Sequence, residues 1–494
     1  MTPHENLRQQ YTTIQALQKS LSVLQWDRQT MMPARGASAR TTHVGQLTRL
    51  AHELLTGEEF QRALEAAEAE AAPGSDEAAE VRVLKREVRT QTRIPKALVM
   101  EKARVSSDAY EVWKGAREAG TFAPMASYYE QLFDIAGRTA EALGYTDHIY
   151  DPLIDLFEEG ATYADARRMF DTIQKPITEL VGRIGEADSI DDTSLDGPWD
   201  NERVRALMQR ICAQIGFRFE AGRLDVAPNA FCSNFSVGDV RMTTRPASHI
   251  KGIVFSSLHE MGHGLYEQLS PEEWDGSPLC GGISLGIHES QSRLWENIVG
   301  RSEAFWNWAA VPFEEAFSSL EDTDANTLFR AVNKVEPGLV RIGSDELTYN
   351  LHIQVRFELE CEVLTGKVKA SELPEAWNAK YAAYLGVTPP HDGLGVLQDV
   401  HWSRGSIGYF PTYAMGNLIG GQVWERLSTD IPDVDAQMAE GRFEAPLGWL
   451  TERIYSQGKR FTPKELLQRV VGGPMDAAPW LAYAERKFGA LYGL

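Results

Sequence analysis

The stretch SSLHEMGHGLYEQL, which runs from Ser256 to Leu269, decides how the middle of this chain folds. Two histidines, His259 and His263, stand four residues apart and bracket Glu260. The surrounding apolar residues recur at three- and four-residue steps, so the pattern predicts one helix. Residues four apart on a helix lie about 40° apart in azimuth and one turn apart in height, so both imidazoles can reach one metal ion. Glu260 is rotated one step round, where its carboxylate can touch a water on that ion rather than the ion itself.

A chance occurrence is the competing interpretation of these two histidines. A motif this short arises by accident in roughly 2 of 100 chains of this length. Gly262 and Gly264 flank His263, and each glycine costs a helix ~1 kcal/mol relative to alanine. A helix accepts two such losses where something approaches its backbone closely, either a packed element or a substrate. The glycines therefore favour a metal site over an ordinary helix with two histidines.

Two histidines leave a catalytic zinc ion one protein ligand short, since such sites have three protein ligands and an open position. The stretch GISLGIHESQSRLWENIVG, positions 282–300, predicts a further helix and offers Glu289 and Glu296. The Glu-x-x-x-Asp pattern of thermolysin-like enzymes is absent, because Arg293 stands four residues after Glu289. A solvated helix surface is the alternative for either glutamate. Spacing alone leaves Glu289 and Glu296 as close rivals for the third ligand.

Composition narrows the class of protein. The chain has 494 residues, of which 43% are hydrophobic and 24% charged, as in ordinary globular proteins. Its formal net charge of −21 argues against nucleic acid as the main partner. The sequence has no run of 18 apolar residues and no signal-peptide pattern, so we expect no membrane partner. The four cysteines form no C-x-x-C pair and predict free thiols in a reducing cytoplasm.

The rest of the chain predicts a mainly α fold. Helical spacing dominates the first 180 residues, and Pro73-Gly74-Ser75 interrupts an Ala/Glu-rich stretch that we interpret as a helical hairpin. Between Phe217 and Arg245, apolar and polar residues alternate in the segments FRFEAGRLDV and DVRMTTR, which predicts short strands. These strands would form a small β element just before the helix that carries His259-Glu260-x-x-His263, the HExxH motif. The acidic stretch 188–200 is either a surface loop or a subdomain boundary. We expect one unit over 1–494, with 1–187 and 201–494 as possible subdomains.

Five ordered stretches together resemble the carboxypeptidase Taq-type metallocarboxypeptidase family. They are DVRMT at Asp239–Thr243, HEMGH at His259–His263, HESQ at His288–Gln291, RIGSD at Arg341–Asp345 and GVLQDVHW at Gly395–Trp402. The resemblance covers nearly the whole chain, and five motifs in order are far more specific than HExxH alone. It implies a large helical zincin-type peptidase, a single peptidase unit with a deep central substrate groove.

The resemblance also implies the ligands and the assembly. The glutamate of the family's HESQ-like motif is the third metal ligand, which favours Glu289 over Glu296. The implied cofactor is Zn²⁺, with Co²⁺ or another divalent metal as a substitute, and the implied assembly is a homodimer. The sequence departs from the family at Asn229-Ala230-Phe231, where a His-Pro-Phe-like stretch is expected. This departure puts substrate preference and rate in doubt.

The implied reaction is hydrolysis of the C-terminal bond of peptides with a free C-terminus, with broad specificity. Zinc held by His259, His263 and Glu289 would lower the pKa of a water and polarise the scissile carbonyl. Glu260 would take the water's proton as general base and pass it to the leaving amine.

The stretch QDVHWSRGSIGYFPTYAMGN supplies the candidates for oxyanion stabilisation, His401 and Tyr409, with Tyr413 as a reserve that binds substrate. A similarly spaced histidine and tyrosine recur in related helical zinc peptidases, so this assignment rests partly on resemblance. Packing of aromatic side chains is the alternative for both tyrosines.

A carboxypeptidase must recognise a free carboxylate, and a guanidinium does so by bidentate hydrogen bonding. Arg341 is the first candidate because it lies in a family motif, and its alternative is a helix ion pair with Asp345. Arg241 is the second candidate, and its alternative is a structural pair with Asp239. For His288, which precedes Glu289, we expect only a supporting role: it would pack against neighbouring side chains or orient one of them.

Two other classes compete with this interpretation. A zinc endopeptidase or dipeptidase on a similar helical scaffold would keep the metal site, but an endopeptidase would cut amidated peptides as readily as free ones. A non-catalytic helical binding protein would have lost catalytic residues, whereas this sequence keeps every residue that matches the zinc motifs.

Overall fold

The computed structural model describes residues 1–245 and 249–494, which fold mainly into helices and one small sheet, as the sequence predicts. None of the described helices is both long enough and apolar enough to cross a membrane. The α-helices of these residues are α1 (Pro3–Thr30), α2 (Ala37–Thr56), α3 (Glu58–Glu70), α4 (Asp76–Arg93), α5 (Lys96–Ala119), α6 (Ala126–Leu143), α7 (Asp151–Asp155), α8 (Tyr163–Glu186), α9 (Asn201–Ile215), α10 (Ile250–Gln268), α11 (Leu285–Arg293), α12 (Glu303–Ala316), α13 (Ala325–Val332), α14 (Tyr349–Leu364), α15 (Leu373–Leu385), α16 (Pro411–Asp430), α17 (Val434–Ala439), α18 (Glu444–Arg453), α19 (Pro463–Val471) and α20 (Ala478–Tyr492).

The apolar core has two main parts. The predicted helical hairpin is formed by α3 and α4, and Ser75 in the turn between them caps α4 by accepting a hydrogen bond from the Ala78 amide at 3.2 Å. Apolar side chains of α1 to α4 pack together in a cluster of their own. A larger cluster runs from Leu98 to Leu491 and takes residues from both sides of the acidic stretch 188–200. One core therefore continues across that stretch.

The small sheet lies just before α10, as the sequence predicts. Its strands are β1 (Gly222–Val226), β2 (Phe231–Ser236) and β3 (Asp239–Thr244), in the order β1-β3-β2. β1 is parallel to β3, and β2 is antiparallel to it. The alternating pattern located β1 and β3 but not β2. All six residues of β2 are half-buried, so this strand has no alternation of buried and exposed positions to recognise.

Helix α10 carries the HExxH motif, and its two glycines are sites of close packing. A Cβ at Gly262 would lie 2.6 Å from the Gln291 carbonyl oxygen, which belongs to α11. A Cβ at Gly264 would lie 2.7 Å from the ring of Phe217. The close approach predicted from the sequence is therefore made by packed elements of the protein. On the other side of α11, a Cβ at Gly416 of α16 would lie 2.5 Å from Cγ of Glu289.

We expect Gly262→Ala to destabilise the protein by about 1–3 kcal/mol, because the added methyl group meets the backbone of α11 rather than a movable side chain. Chemical unfolding monitored by circular dichroism measures this change. Gly115→Ala is the matched control, because Gly115 lies inside α5 with open space around its Cα. There the helix propensity of alanine should raise stability by up to ~1 kcal/mol. Equal stability of the Gly262→Ala variant and the wild type would contradict the close-packing explanation.

Candidate metal centre

Three side chains converge at the contact between α10 and α11. Glu289 Oε2 lies 3.5 Å from His259 Nε2 and 3.4 Å from His263 Nε2. Bonds of 2.0–2.1 Å to a tetrahedral zinc ion place ligand atoms about 3.3–3.4 Å apart, so these distances fit one shared ion. Within the described residues, this is the group of histidine, cysteine and carboxylate side chains whose geometry could hold a metal. Spacing on α10 and the resemblance predicted the same three residues.

The rival glutamate, Glu296, occupies a different position. It lies in the π-helical turn Leu294–Val299 that follows α11, and its Oε2 is 2.9 Å from Nδ1 of His259. Arg293 donates a hydrogen bond to the same oxygen at 3.1 Å. Because Nδ1 of His259 is engaged here, Nε2 is the nitrogen left to face the shared site. Glu296 is therefore placed to orient His259.

His263 is oriented in the same way by a chain of two further groups. Nδ1 of His263 lies 2.5 Å from Nδ1 of His288, and Nε2 of His288 lies 2.7 Å from Oε1 of Glu267. Glu267 also accepts hydrogen bonds from Asn234 of β2 and from the Gly282 amide. Burial alone would raise the pKa of Glu267, but its hydrogen bond with His288 lowers that pKa to about 2.

The second oxygen of Glu289 is held by Arg293. Arg293 Nε donates to Oε1 of Glu289 at 2.7 Å, and the Arg293 guanidinium stacks on the ring of Tyr349 at 4.1 Å. Burial opposes the charged form of Glu289, but Arg293 and His259 together hold its pKa well below the usual range. The carboxylate is therefore ionised, with Oε2 directed towards the two histidines.

Glu260 is buried beside these groups, with 5% of its surface exposed. In the part of the chain that the structure describes, no side chain donates a hydrogen bond to its carboxylate. Burial raises the pKa of Glu260 to about 7; the neighbouring carboxylates Glu289 and Glu296 add to this rise, and His259 opposes it. A carboxylate with a pKa near neutrality suits a group that must both accept and release a proton.

The predicted oxyanion-stabilising residues lie together in the segment before and at the start of α16. His401 Nε2 is 3.1 Å from the Tyr413 hydroxyl, and the ring centroids of His401 and Tyr409 are 5.3 Å apart. Burial raises the pKa of Tyr409 to about 12, and the charge of Glu289 adds to this rise, so Tyr409 lies within electrostatic reach of that carboxylate. Burial lowers the pKa of His401 to about 3, so its imidazole is neutral near pH 7.

Arg341 is buried and does not form the helix ion pair that we considered for it. Its Nε and Nη2 donate to Oδ1 of Asp399 at 3.0 and 2.6 Å, and its Nη1 donates to the Tyr349 hydroxyl at 2.8 Å. Asp345 instead accepts hydrogen bonds from the backbone and hydroxyl of Thr348. The ion-pair alternative was wrong because Arg341 begins a short 3-10 turn and not an α-helix.

Arg241 has the structural pairing that the sequence offered as its alternative. It lies on β3, and its Nε and Nη2 donate to the two oxygens of Asp239 at 2.7 and 2.8 Å. Its guanidinium also lies over the rings of Trp26 at 4.6 Å and Phe235 at 5.0 Å.

Sequence reasoning missed two groups that hold the site together, Glu267 and Arg293. Glu267 stands four residues after His263, and Arg293 stands four residues after Glu289. Four residues is the spacing at which helical side chains meet, so the positions were available to a search for supporting groups. For Arg293 that spacing points to its observed partner, Glu289. The partner of Glu267 is His288, which could not be predicted, because nothing in the sequence places His288 beside His263 and Glu267.

Two histidines and a carboxylate on neighbouring helices, with a buried glutamate beside them, define the class of HExxH metallopeptidases. The sequence profile described as Carboxypeptidase Taq (M32) metallopeptidase matches residues 6–488, and the chain belongs to this family. It is therefore a metallocarboxypeptidase, a peptide hydrolase that uses a divalent metal.

Individual relatives match this chain over nearly its full length. Thermostable carboxypeptidase 1 of Thermus thermophilus is 38% identical over 95% of this chain and 94% of its own, and carboxypeptidase 1 of Bacillus subtilis is 33% identical over 96% and 95%. Among solved structures, the M32 carboxypeptidase from Deinococcus radiodurans covers 100% of both chains with a TM-score of 0.97 and 34% identity.

The orientation of His263 gives a testable prediction. We expect His288→Ala to weaken zinc binding about 10- to 100-fold, because partners that orient a histidine ligand typically contribute that much. Competition with a chromogenic chelator measures the affinity without reference to activity. His52→Ala on α2 is the control and should leave the affinity unchanged. An unaltered zinc affinity in His288→Ala would refute the orienting role.

Proposed function

We propose that this chain removes residues from the free C-terminus of peptides with broad specificity, and that its metal is zinc held by His259, His263 and Glu289. The observation that supports this most strongly is the convergence of the three donor atoms at 3.4–3.5 Å with Glu260 buried beside them. Two imidazoles and a carboxylate are a common ligand set of catalytic zinc, and cobalt can occupy similar sites.

The metal, when bound, supplies Lewis-acid chemistry: it polarises the scissile carbonyl and makes water more acidic. The side chains of this protein perform the proton transfers. Glu260 accepts a proton from the attacking water, whose oxygen forms the new bond to the carbonyl carbon. Glu260 then gives the proton to the leaving amine as the C–N bond breaks. Its raised pKa favours both steps near neutral pH.

We propose that His401 and Tyr409 donate hydrogen bonds to the oxyanion that develops on the carbonyl oxygen. The low pKa of His401 supports this role, because a neutral imidazole still donates through one ring nitrogen. The Tyr413 hydroxyl lies 3.1 Å from Nε2 of His401, and we assign Tyr413 to substrate binding beside that imidazole.

We propose Arg341 as the group that recognises the substrate carboxylate, with Arg241 as the second candidate. A guanidinium has five N–H donors, and Arg341 uses three of them on Asp399 and Tyr349. Two donors remain for a ligand. The centroid of the Tyr413 ring lies 5.0 Å from the Arg341 guanidinium, which joins Arg341 to the cluster that contains His401.

We also propose a homodimer in a reducing cytoplasm. The resemblance to a family of usual homodimers supports the assembly, and the four cysteines, all of them free thiols, support the compartment.

The proposed reaction predicts dependence on a free carboxylate, on metal and on Glu260. The zinc-loaded protein should release single residues in sequence from a free peptide and none from the same peptide with a C-terminal amide. A chelator should abolish release, and Glu260→Gln should lower kcat about 10²- to 10⁴-fold while zinc content stays unchanged. Mass spectrometry of the products and metal analysis measure these outcomes.

The exposed Glu272→Gln serves as the control and should keep wild-type kcat. Cleavage of the amidated peptide at an equal rate would replace the carboxypeptidase proposal with an endopeptidase. Activity that survives the chelator would contradict the metal-dependent reaction.

The two arginines can be distinguished by kinetics. We expect Arg341→Lys to raise KM for the free peptide about 10- to 100-fold, because a hydrogen bond to a charged group contributes ~1.5–3 kcal/mol. Asp399 keeps its partner Arg356 in this variant, with Arg356 Nε at 2.7 Å, so the fold should persist. Arg241→Lys should change KM much less. The opposite order of KM values would assign the substrate carboxylate to Arg241.

A further inference from the structure

Glu360 is a completely buried carboxylate outside the metal centre. It lies on α14, its side chain is 0% exposed, and no arginine, lysine or histidine hydrogen-bonds to it among the described residues. Burial raises the pKa of Glu360 to about 7 against the effect of its hydrogen-bond donors. A buried acid with no ion-pair partner is unfavourable for stability, so its contacts must be accounted for.

Both oxygens of Glu360 bind the segment that carries the proposed oxyanion donors. Oε1 accepts from the indole Nε1 of Trp402 at 2.7 Å, and Oε2 accepts from the Gly408 amide at 3.0 Å. Trp402 directly follows His401, and Gly408 directly precedes Tyr409. The carboxylate therefore ties together the two points of the chain that adjoin the proposed donors.

The carboxylate itself is fixed by its surroundings. The Tyr150 hydroxyl donates to Oε2 at 2.6 Å, and the Tyr150 ring packs edge-on against Phe357 of α14 at 5.4 Å. One turn before Glu360 on the same helix, Arg356 Nε holds Asp399 at 2.7 Å. Side chains of α14 therefore form hydrogen bonds with the segment at Asp399, Trp402 and Gly408.

The backbone conformation and the close surroundings of Gly408 suit only a glycine. Its φ is +96°, and a Cβ there would lie 2.6 Å from the Leu153 carbonyl oxygen. Glycine adopts this conformation without strain but loses more conformational freedom on folding than any other residue, and the hydrogen bond from its amide to Glu360 helps to hold it there.

We propose that Glu360 is a positioning residue for the hydrolytic reaction, which holds the His401–Tyr409 segment so that both side chains aim at the developing oxyanion. Glutamine cannot replace it. A glutamine offers one carbonyl oxygen and one amide NH₂ group, so one of the two segment donors would face a donor. The proposal rests on the proposed function, because it gives the segment a role in that reaction.

The test compares Glu360→Gln with Glu80→Gln. Glu80 is also 0% exposed but lies on α4 in the N-terminal cluster, where Arg8 binds it at 2.6 Å. Zinc content, kcat and KM on the free peptide are measured for both variants. We expect full zinc content in each. Glu360→Gln should lower kcat about 10- to 100-fold, as displacement of an active-site group by ~1 Å does. KM should change less than about threefold, because a donor aimed at the oxyanion acts in the transition state. Glu80→Gln should keep wild-type kcat.

Hydrogen exchange gives a second readout. The Gly408 amide should lose protection in Glu360→Gln and keep it in Glu80→Gln. If Glu360→Gln does not fold, Trp402→Phe removes one donor of the segment and should show the same selective fall in kcat. A wild-type kcat in Glu360→Gln, or an equal loss in Glu80→Gln, would overturn the positioning role. A zinc-loaded wild type that releases no residue would instead overturn the proposed function.

Discussion

The close contact between the backbones of α10, α11 and α16 is the constraint on which the site depends. Gly262 allows α11 to approach α10, and Gly416 allows α16 to press against Glu289 from the other side. Neither position has room for a Cβ. Each glycine weakens its own helix, and the packing that it permits offsets that loss. The result places the carboxylate of Glu289 within 3.5 Å of both HExxH histidines.

The electrostatics of the centre follow from this packing. The buried acids Glu260 and Glu289 and the half-buried Glu296 lie together, and Arg293 is the guanidinium hydrogen-bonded to Glu289 and Glu296. Burial would lower the pKa of His259, but Glu289 and Glu296 raise it to about 9, and a divalent cation would compensate the same negative charge. The partners of Nδ1 on both histidines leave each Nε2 to face the same point. The side chains therefore have the arrangement that a divalent cation would require.

Much of this could be predicted from the sequence. The helical fold follows from apolar spacing, and His259, Glu260 and His263 follow from one motif. The third candidate ligand could not be chosen from spacing, because Glu289 and Glu296 can both face the centre; the resemblance favoured Glu289. Contacts between distant parts of the chain could not be predicted. Glu360 meets Trp402 and Gly408 only after the helices pack. The Arg341 pairing was misjudged because an i,i+4 pair requires an α-helix, which that segment does not form.

We expect His259, His263 and Glu289 to bind one metal ion together. Anomalous diffraction at the zinc edge, from crystals of the zinc-loaded protein, tests it most directly. We expect one peak per chain, about 2.0–2.2 Å from Nε2 of both histidines and from a carboxylate oxygen of Glu289, with Glu296 still bound to Nδ1 of His259. A peak ligated by Glu296 in place of Glu289, or a peak away from these histidines, would contradict it.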